Sequence, residues 1–323
     1  MNRITRRTAL VGLSAFAIAP AFADEGWPNR PISLLTGYAA GGPTDTLARI
    51  VGEGLRRRLG EAVVIESKPG AAGTLAAAQL ARATPDGYTL ILLASGFATT
   101  AAMYRKLPYR PLEDFSMIGL LAEFPFVIAT YADHPIGTAP DLLAQGSSNS
   151  KPLLYGTSGN GSNQHLAMEL LAKMANLLVQ HVPYRGGAAA IVDLLGKRLD
   201  FVVDPPSSLL EFINQGKLRA LATTGASRHF SLPDVPTVAE AGVAGYRVLS
   251  WHGLAGPVGL PVSVSDRLAA ESAATLAEPT LIEQFKALGI SPKSSGAGEF
   301  RLRIAADIRA WNELIDSAGI ERI

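Results

Sequence analysis

The chain has 323 residues, 48% of them hydrophobic, with 29 lysines and arginines against 28 aspartates and glutamates and no cysteine. Balanced charge offers no field for nucleic acid or an anionic membrane surface, and the lack of cysteine removes disulfide frameworks and any cysteine-linked lipid anchor. With about 100–200 residues to a usual domain, two domains with ample cores are expected.

The chain opens on Met1-Asn2-Arg3-Ile4-Thr5-Arg6-Arg7, continues apolar from Ala9 to Ala19, and reaches Ala21-Phe22-Ala23 before Asp24-Glu25. A basic start, a short apolar run and a small-residue site are the order of a secretory signal peptide, with cleavage expected after Ala23 and a periplasmic destination. Thr5-Arg6-Arg7-Thr8-Ala9-Leu10 also resembles a twin-arginine signal, so that route and the general one both stay open. Removal of the leader leaves 26 basic and 28 acidic residues, a net charge near −2. The run is too short to span a bilayer, and no later segment approaches about twenty uninterrupted apolar residues, so a soluble mature protein is expected.

From there short β-rich runs alternate with helical patterns. Ile32 to Thr36 reads as a strand, and Asp45 to Leu59 as a helix with Leu47, Ile50, Val51, Leu55 and Leu59 on one face. Val63 to Glu66 is a second strand, Thr74 to Ala83 a second helix, and Tyr88 to Ala94 a third strand entered through Pro85-Asp86-Gly87. The pattern βαβαβ implies a parallel sheet. It restarts with strand Leu153 to Gly156, helix Asn163 to Ala175, strand Val179 to Val182, helix Ala188 to Leu195, strand Phe201 to Val203, helix Ser207 to Gln215 and strand Ala220 to Thr224. Gln145 to Lys151 reads as a surface loop.

Met117 to Tyr131 is long enough to cross from one sheet to the other, and Tyr246 to Leu254 to return. Helices near Val264 to Leu276 and Phe300 to Ile315 would pack back on the first unit. The expected α/β organisation is a domain of residues 24–127 plus 249–323 and a second of residues 128–248, with the two crossings as a hinge beside a cleft.

Ligands of open parallel sheets bind at the carboxyl ends of strands. Two turns there are unusual. Gly37 to Asp45 joins the first strand to its helix with three glycines, and Gly156 to Asn163 does the same in the second unit. Glycines let backbone approach a ligand, and free N–H groups at a helix start hold an anion without a cationic side chain. Thr44, Ser95, Thr157, Ser158, Ser162 and Asn163 are the expected side-chain donors, with Tyr38, Gly42 and Gly161 as backbone or wall contributors. Asp45 is expected to be the helix N-cap rather than a ligand group. Tyr184 would wall the cleft, and Asp204, at the end of a strand before Pro205-Pro206, would hold an ammonium group or orient a donor.

Enzyme signatures fail. There is no Gly-x-Ser-x-Gly elbow, phosphate loop, dinucleotide glycine motif or His-Glu-x-x-His, and His134, His165, His181, His229 and His252 show no metal-ligand spacing, so neither catalysis, metal nor cofactor is expected. The alternative from another class is a periplasmic hydrolase using Ser162 and His165.

Trp27-Pro28-Asn29-Arg30-Pro31-Ile32, Asp45-Thr46-Leu47-Ala48-Arg49, Pro69-Gly70-Ala71, Ala83-Thr84-Pro85-Asp86-Gly87-Tyr88, Leu107-Pro108-Tyr109, Val182-Pro183-Tyr184-Arg185-Gly186-Gly187, Gly216-Lys217-Leu218-Arg219-Ala220 and Pro233-Asp234-Val235-Pro236-Thr237 occur in order. The chain thereby resembles the Bug family of extracytoplasmic receptors of tripartite tricarboxylate transporters, over essentially all of its mature length. The resemblance implies a periplasmic-binding-protein-like fold of type II, with two lobes and two crossings. It also implies an organic acid ligand held by the two loops, delivery to membrane permease subunits, and a monomer. A receptor that reports to a sensor instead stays open. Ser67, Pro205 after Asp204, and Gly256-Pro257-Val258-Gly259-Leu260-Pro261 depart from the family pattern.

Overall fold

The computed structural model describes residues 26–148 and 151–323, so the expected leader, residues 1–23, lies outside the described residues. The first sheet begins with β1 (Ile32–Thr36), followed by α1 (Pro43–Leu59), β2 (Val63–Ser67), α2 (Thr74–Leu80), β3 (Thr89–Ala94) and α3 (Gly96–Met103). The chain then leaves through β4 (Phe115–Pro125) and enters the second sheet as β5 (Val127–Tyr131), followed by α4 (Ala139–Ser148). Next come β6 (Leu153–Thr157), α5 (Asn163–Ala175), β7 (Val179–Pro183), α6 (Gly187–Leu195), β8 (Phe201–Asp204), α7 (Pro206–Asn214) and β9 (Leu218–Thr223). It returns as β10 (Leu249–Pro257) and closes with α8 (Val262–Leu276), α9 (Pro279–Ala287), β11 (Ser291–Ser295) and α10 (Ala297–Ala318).

The strand orders are β11-β4-β10-β3-β1-β2 and β7-β6-β8-β5-β9. β1 pairs in parallel with β2 and β3, and β6 with β7 and β8, as the βαβ pattern demands. The crossing strands make both sheets mixed rather than parallel throughout. β10 slots between β3 and β4 and runs against both, and β5 runs against β8 and β9. A chain that leaves a sheet and comes back beside its exit must return in the opposite sense.

This register decides where a cleft can form. The start of β10 pairs with the end of β4 (Leu249 with Pro125), and His252 pairs with Ala94 at the end of β3. Val127, at the start of β5, pairs with Asp204 and Thr223, the ends of β8 and β9. The carboxyl ends of β1 and β3 in one sheet, and of β6 and β8 in the other, therefore look toward each other past the crossing. There the backbone of Phe126 donates to Thr224 Oγ1 at 2.8 Å, the backbone of Thr224 donates to Phe126 O at 3.0 Å, and Thr224 Oγ1 donates to Val248 O at 2.7 Å. One buried threonine stitches the outgoing strand, the end of β9 and the returning strand.

Helix α1 buries Leu47, Ala48, Val51, Leu55 and Leu59 and stops at Gly60, whose φ of 81° caps it in the left-handed region. Gly54 lets α8 approach, because a Cβ there would fall 2.2 Å from the Thr275 methyl group. The long last helix α10 sends Phe300 over the first sheet, edge-on to Trp251 at 5.1 Å and 87°. Such a pair adds about 0.5–1.5 kcal/mol beyond the area it buries. One expectation changes, and two elements appear that the sequence pattern does not predict. The reading of Gln145 to Lys151 as loop gives way to helix α4 as far as Ser148. Residues after β3 form α3, buried almost all round and so without the one-sided pattern that marks a helix in sequence. β11 is a polar edge strand carrying Pro292, which hydrophobic alternation cannot reveal.

Gly253 lies under Phe300, where a Cβ would come within 2.2 Å of the ring. Gly253→Ala is expected to lower denaturant-unfolding stability by about 1–3 kcal/mol through overpacking. Gly298→Ala, with nothing within 4 Å of the new Cβ, should leave it unchanged or slightly raised. Equal midpoints for the two variants would contradict this packing.

Candidate functional site

After β1 the chain turns at Gly37, packed so closely on Gly73 that a Cβ would lie 2.5 Å from its Cα. The neighbouring turn is strained: Ala71 and Ala72 both take positive φ, 45° and 52°, a conformation that costs a non-glycine residue about 1–2 kcal/mol. Tyr38 stands half-buried with its hydroxyl over Gly96, the first residue of α3, where a Cβ would meet the oxygen at 2.3 Å. Burial pushes its pKa up to about 12, so it remains a neutral donor.

Gly42 is the N-cap of α1 and makes no side-chain cap. Asp45 is therefore not the N-cap: it sits in the first turn and reaches back to the Gly41 N–H at 3.0 Å, while holding Arg49 at 2.9 Å and accepting from Ser67 Oγ at 3.0 Å. Burial works against its charge, but the bonds from Arg49, Gly41 and Ser67 hold its pKa below the ordinary value. The unusual Ser67 is thus a support of the first loop. Thr44 is buried, with Oγ1 3.1 Å from His252 Nε2. Burial pushes His252 down to about 3, leaving a neutral ring stacked on Phe124 at 5.6 Å, with Nδ1 unpartnered. Ser95 faces Ser250 across the sheet, Oγ to Oγ 2.8 Å.

The second loop is stiffened in the same way. Thr157 Oγ1 lies 2.7 Å from His181 Nε2 and accepts from the Gly159 N–H at 3.2 Å. Ser162 caps α5 by accepting from the His165 N–H at 3.2 Å and donates to Thr157 Oγ1 at 3.4 Å. His165 Nδ1 accepts from the Gly161 N–H at 3.2 Å, and its ring stacks on His181 at 4.0 Å and 17°. Burial, joined by the neighbouring His165, pushes His181 down to about 3, and burial lowers His165 as well. The Ser162 hydroxyl and the His165 ring do not bond each other; the ring's nitrogens face Gly161 and Glu169, the latter at 3.7 Å. The nucleophile–base pair of the hydrolase reading is not assembled. Ser158 is half-buried on the loop, Asn163 is buried with Oδ1 unpartnered, and a Cβ on Gly161 would meet Met103 of α3 at 3.0 Å, so this loop abuts the first lobe.

Beyond β7, Tyr184 spends its hydroxyl on Asp193 at 2.8 Å, within its own lobe. At the helix start that follows, Gly186, φ 115°, caps α6 without any side chain, leaving its first N–H groups free. Asp204 ends β8 beside it, only 4% exposed, with Oδ1 accepting from Gln164 at 3.2 Å and Oδ2 unpartnered. Burial pushes its pKa up to about 7. Most of the hydroxyls expected to meet a ligand are thus bonded internally, whereas the starts of α1 and α6 carry no side-chain cap. No group of three metal-ligating side chains occurs among the described residues, and none of their helices is long and apolar enough to cross a membrane.

Residues 47–320 match the family model described as tripartite tricarboxylate transporter family receptor. Among solved structures, the periplasmic binding protein BugD is 35% identical, with a TM-score of 0.84, covering 92% of this chain and 100% of its own. R. palustris Rpa4515, solved with adipate, is 31% identical with a TM-score of 0.86 over 92% of this chain and 100% of that one. MatC from Rhodopseudomonas palustris, solved with malate, is 29% identical with a TM-score of 0.81 over 90% and 100%. The two-lobed α/β fold and the ordered motifs thus have one origin: the chain belongs to the tripartite tricarboxylate transporter receptor family.

Proposed function

We propose that this protein is an exported solute-binding receptor that captures a small carboxylate in the cleft between its two sheets, performs no chemistry on it, and passes it to membrane subunits of a tripartite tricarboxylate transporter. The observation that carries this reading is the pair of helix starts, α1 at Gly42 and α6 at Gly186, both without side-chain caps, at strand ends that face each other across the crossing. Free N–H groups and the macrodipole there favour an anion at each end of a short ligand. Adipate and malate, found in two relatives, have that form. Residues 24–127 with 249–323, and 128–248, are the bodies that would close on it.

Thermal melting of the mature protein with adipate, malate and a panel of monocarboxylates tests the ligand class. A binding acid at a hundredfold its Kd stabilises the folded form by about 2.7 kcal/mol. Stabilisation by neutral or cationic solutes alone would overturn the reading. Small-angle scattering should show a smaller radius of gyration at saturation, since a ligand touching both lobes favours the closed form.

Ser162 separates support from contact. Because its oxygen caps α5, Ser162→Ala is expected to cost about 1 kcal/mol of ligand-free stability. Calorimetric affinity should fall less than about tenfold. A hundredfold loss of affinity would place Oγ on the ligand itself.

A further inference from the structure

Asp204 is a buried acid with no cation beside it. Its hydrogen bonding is lopsided: Gln164 Nε2 donates to Oδ1 at 3.2 Å, and Oδ2 has no partner. The elements around it present neutral groups: Gln164 from α5, Gly187 from α6, Val127 from β5, and Pro205, Pro206 and the Ser208 hydroxyl from the start of α7. Ionisable groups on those elements are engaged elsewhere. His165 and Glu169 serve Gly161 and Tyr155, Asp193 takes Tyr184 and Arg198, and Glu211 takes Gln215. Arg185 lies exposed on the turn before α6 and makes no side-chain hydrogen bond among the described residues.

Two further features bear on Oδ2. A Cβ on Gly187 would fall 2.0 Å from it, so only glycine at this place lets the carboxyl lie against the start of α6. Gly187 is also the first residue of α6, the nine-residue helix whose start carries no side-chain cap. An anion seated there would be attracted by the helix and repelled by an ionised Asp204. The conflict disappears when the carboxyl carries a proton: Oδ1 is already an acceptor, which leaves the proton to Oδ2, and a protonated carboxyl is a donor.

We propose that Asp204 meets the ligand as a protonated carboxyl, Oδ2–H donating to a ligand carboxylate at the start of α6, so that a proton from solvent is taken up with the ligand. This rests on the carboxylate-receptor reading above and adds which residue selects the ligand's charge. Burial raises the pKa of free Asp204 to about 7, and a carboxylate placed against it raises that value further. A ligand ammonium group would do the opposite, lowering the value and releasing a proton.

The test is calorimetry of the mature protein with adipate, and separately malate, from pH 6.5 to 8.5, where simple carboxylates are fully ionised. Each titration is run in two buffers of different ionisation enthalpy. Net proton uptake is expected, with affinity falling toward about tenfold per pH unit above neutrality, the limit for one linked proton. Asp204→Asn keeps a neutral amide donor, and its affinity should be flat over the same range. Proton release, a flat wild-type profile, or a slope that persists in Asp204→Asn overturns the proposal. Carbon-13 NMR of labelled aspartate carboxyls in the ligand-free protein decides independently: one resonance should titrate near neutrality and be missing from Asp204→Asn, and its titration in the ordinary carboxylate range would refute the proposal. If neither acid gives heat, the carboxylate reading fails by itself, while the NMR titration still decides whether Asp204 holds its proton.

Discussion

The crossing at Thr224 is the constraint on which the remaining structure depends. Its backbone and hydroxyl bond to Phe126 on the outgoing strand and to Val248 on the returning one, and all of these groups are sealed from water. A buried polar group left unpaired costs about 1–3 kcal/mol, so these strands cannot separate independently. The register on either side follows, and with it the confrontation of strand ends that creates the cleft.

Within the cleft, polarity is used in two distinct ways. Threonine, serine and histidine side chains pair across the loops, Thr44 with His252, Ser95 with Ser250 and Thr157 with His181, and the burial of the rings keeps them uncharged. The backbone N–H groups at the starts of α1 and α6 are left without side-chain caps. A site whose side chains are already satisfied is preorganised: little conformational freedom is left to lose on binding, which lowers the entropic cost of capture. The strained turn at Ala71 and Ala72 belongs to the same design, since Gly73 must lie against Gly37 to fix the first loop.

Much of this was legible in the sequence, for identifiable reasons. Alternating strand and helix patterns located β1 to β3 and β6 to β9 within a residue or two, because buried parallel strands and one-sided helices leave clear periodic signals. Glycine-rich turns at strand ends marked the first and second loops. The failures are equally physical. Helix α3 is buried on all sides and β11 is polar, so neither has a period to detect. The partnership of Thr44 with His252 spans 208 residues, and that of Ser95 with Ser250 spans 155. No local pattern contains such pairs, so the internal partners of these hydroxyls cannot be read from the sequence. Asp45 looked like a cap because it stands near a helix start; the glycine three residues earlier holds that position. The α6 start has no capping side chain, only Gly186 and Gly187, and so carries no polar residue to mark it in sequence.

The long-range pairs also bear on how such a receptor diversifies. Changing one member of Thr44 and His252, or of Thr157 and His181, strands its buried partner and exacts about 1–3 kcal/mol, enough to consume a sizeable part of a marginal stability. Sequence drift at these positions is therefore expected to proceed by correlated exchange, with both partners altered together or neither. Positions that hold no side-chain partner, such as Ser158, carry no such tie. Substitutions can accumulate there one at a time, while the paired positions change only in matched steps.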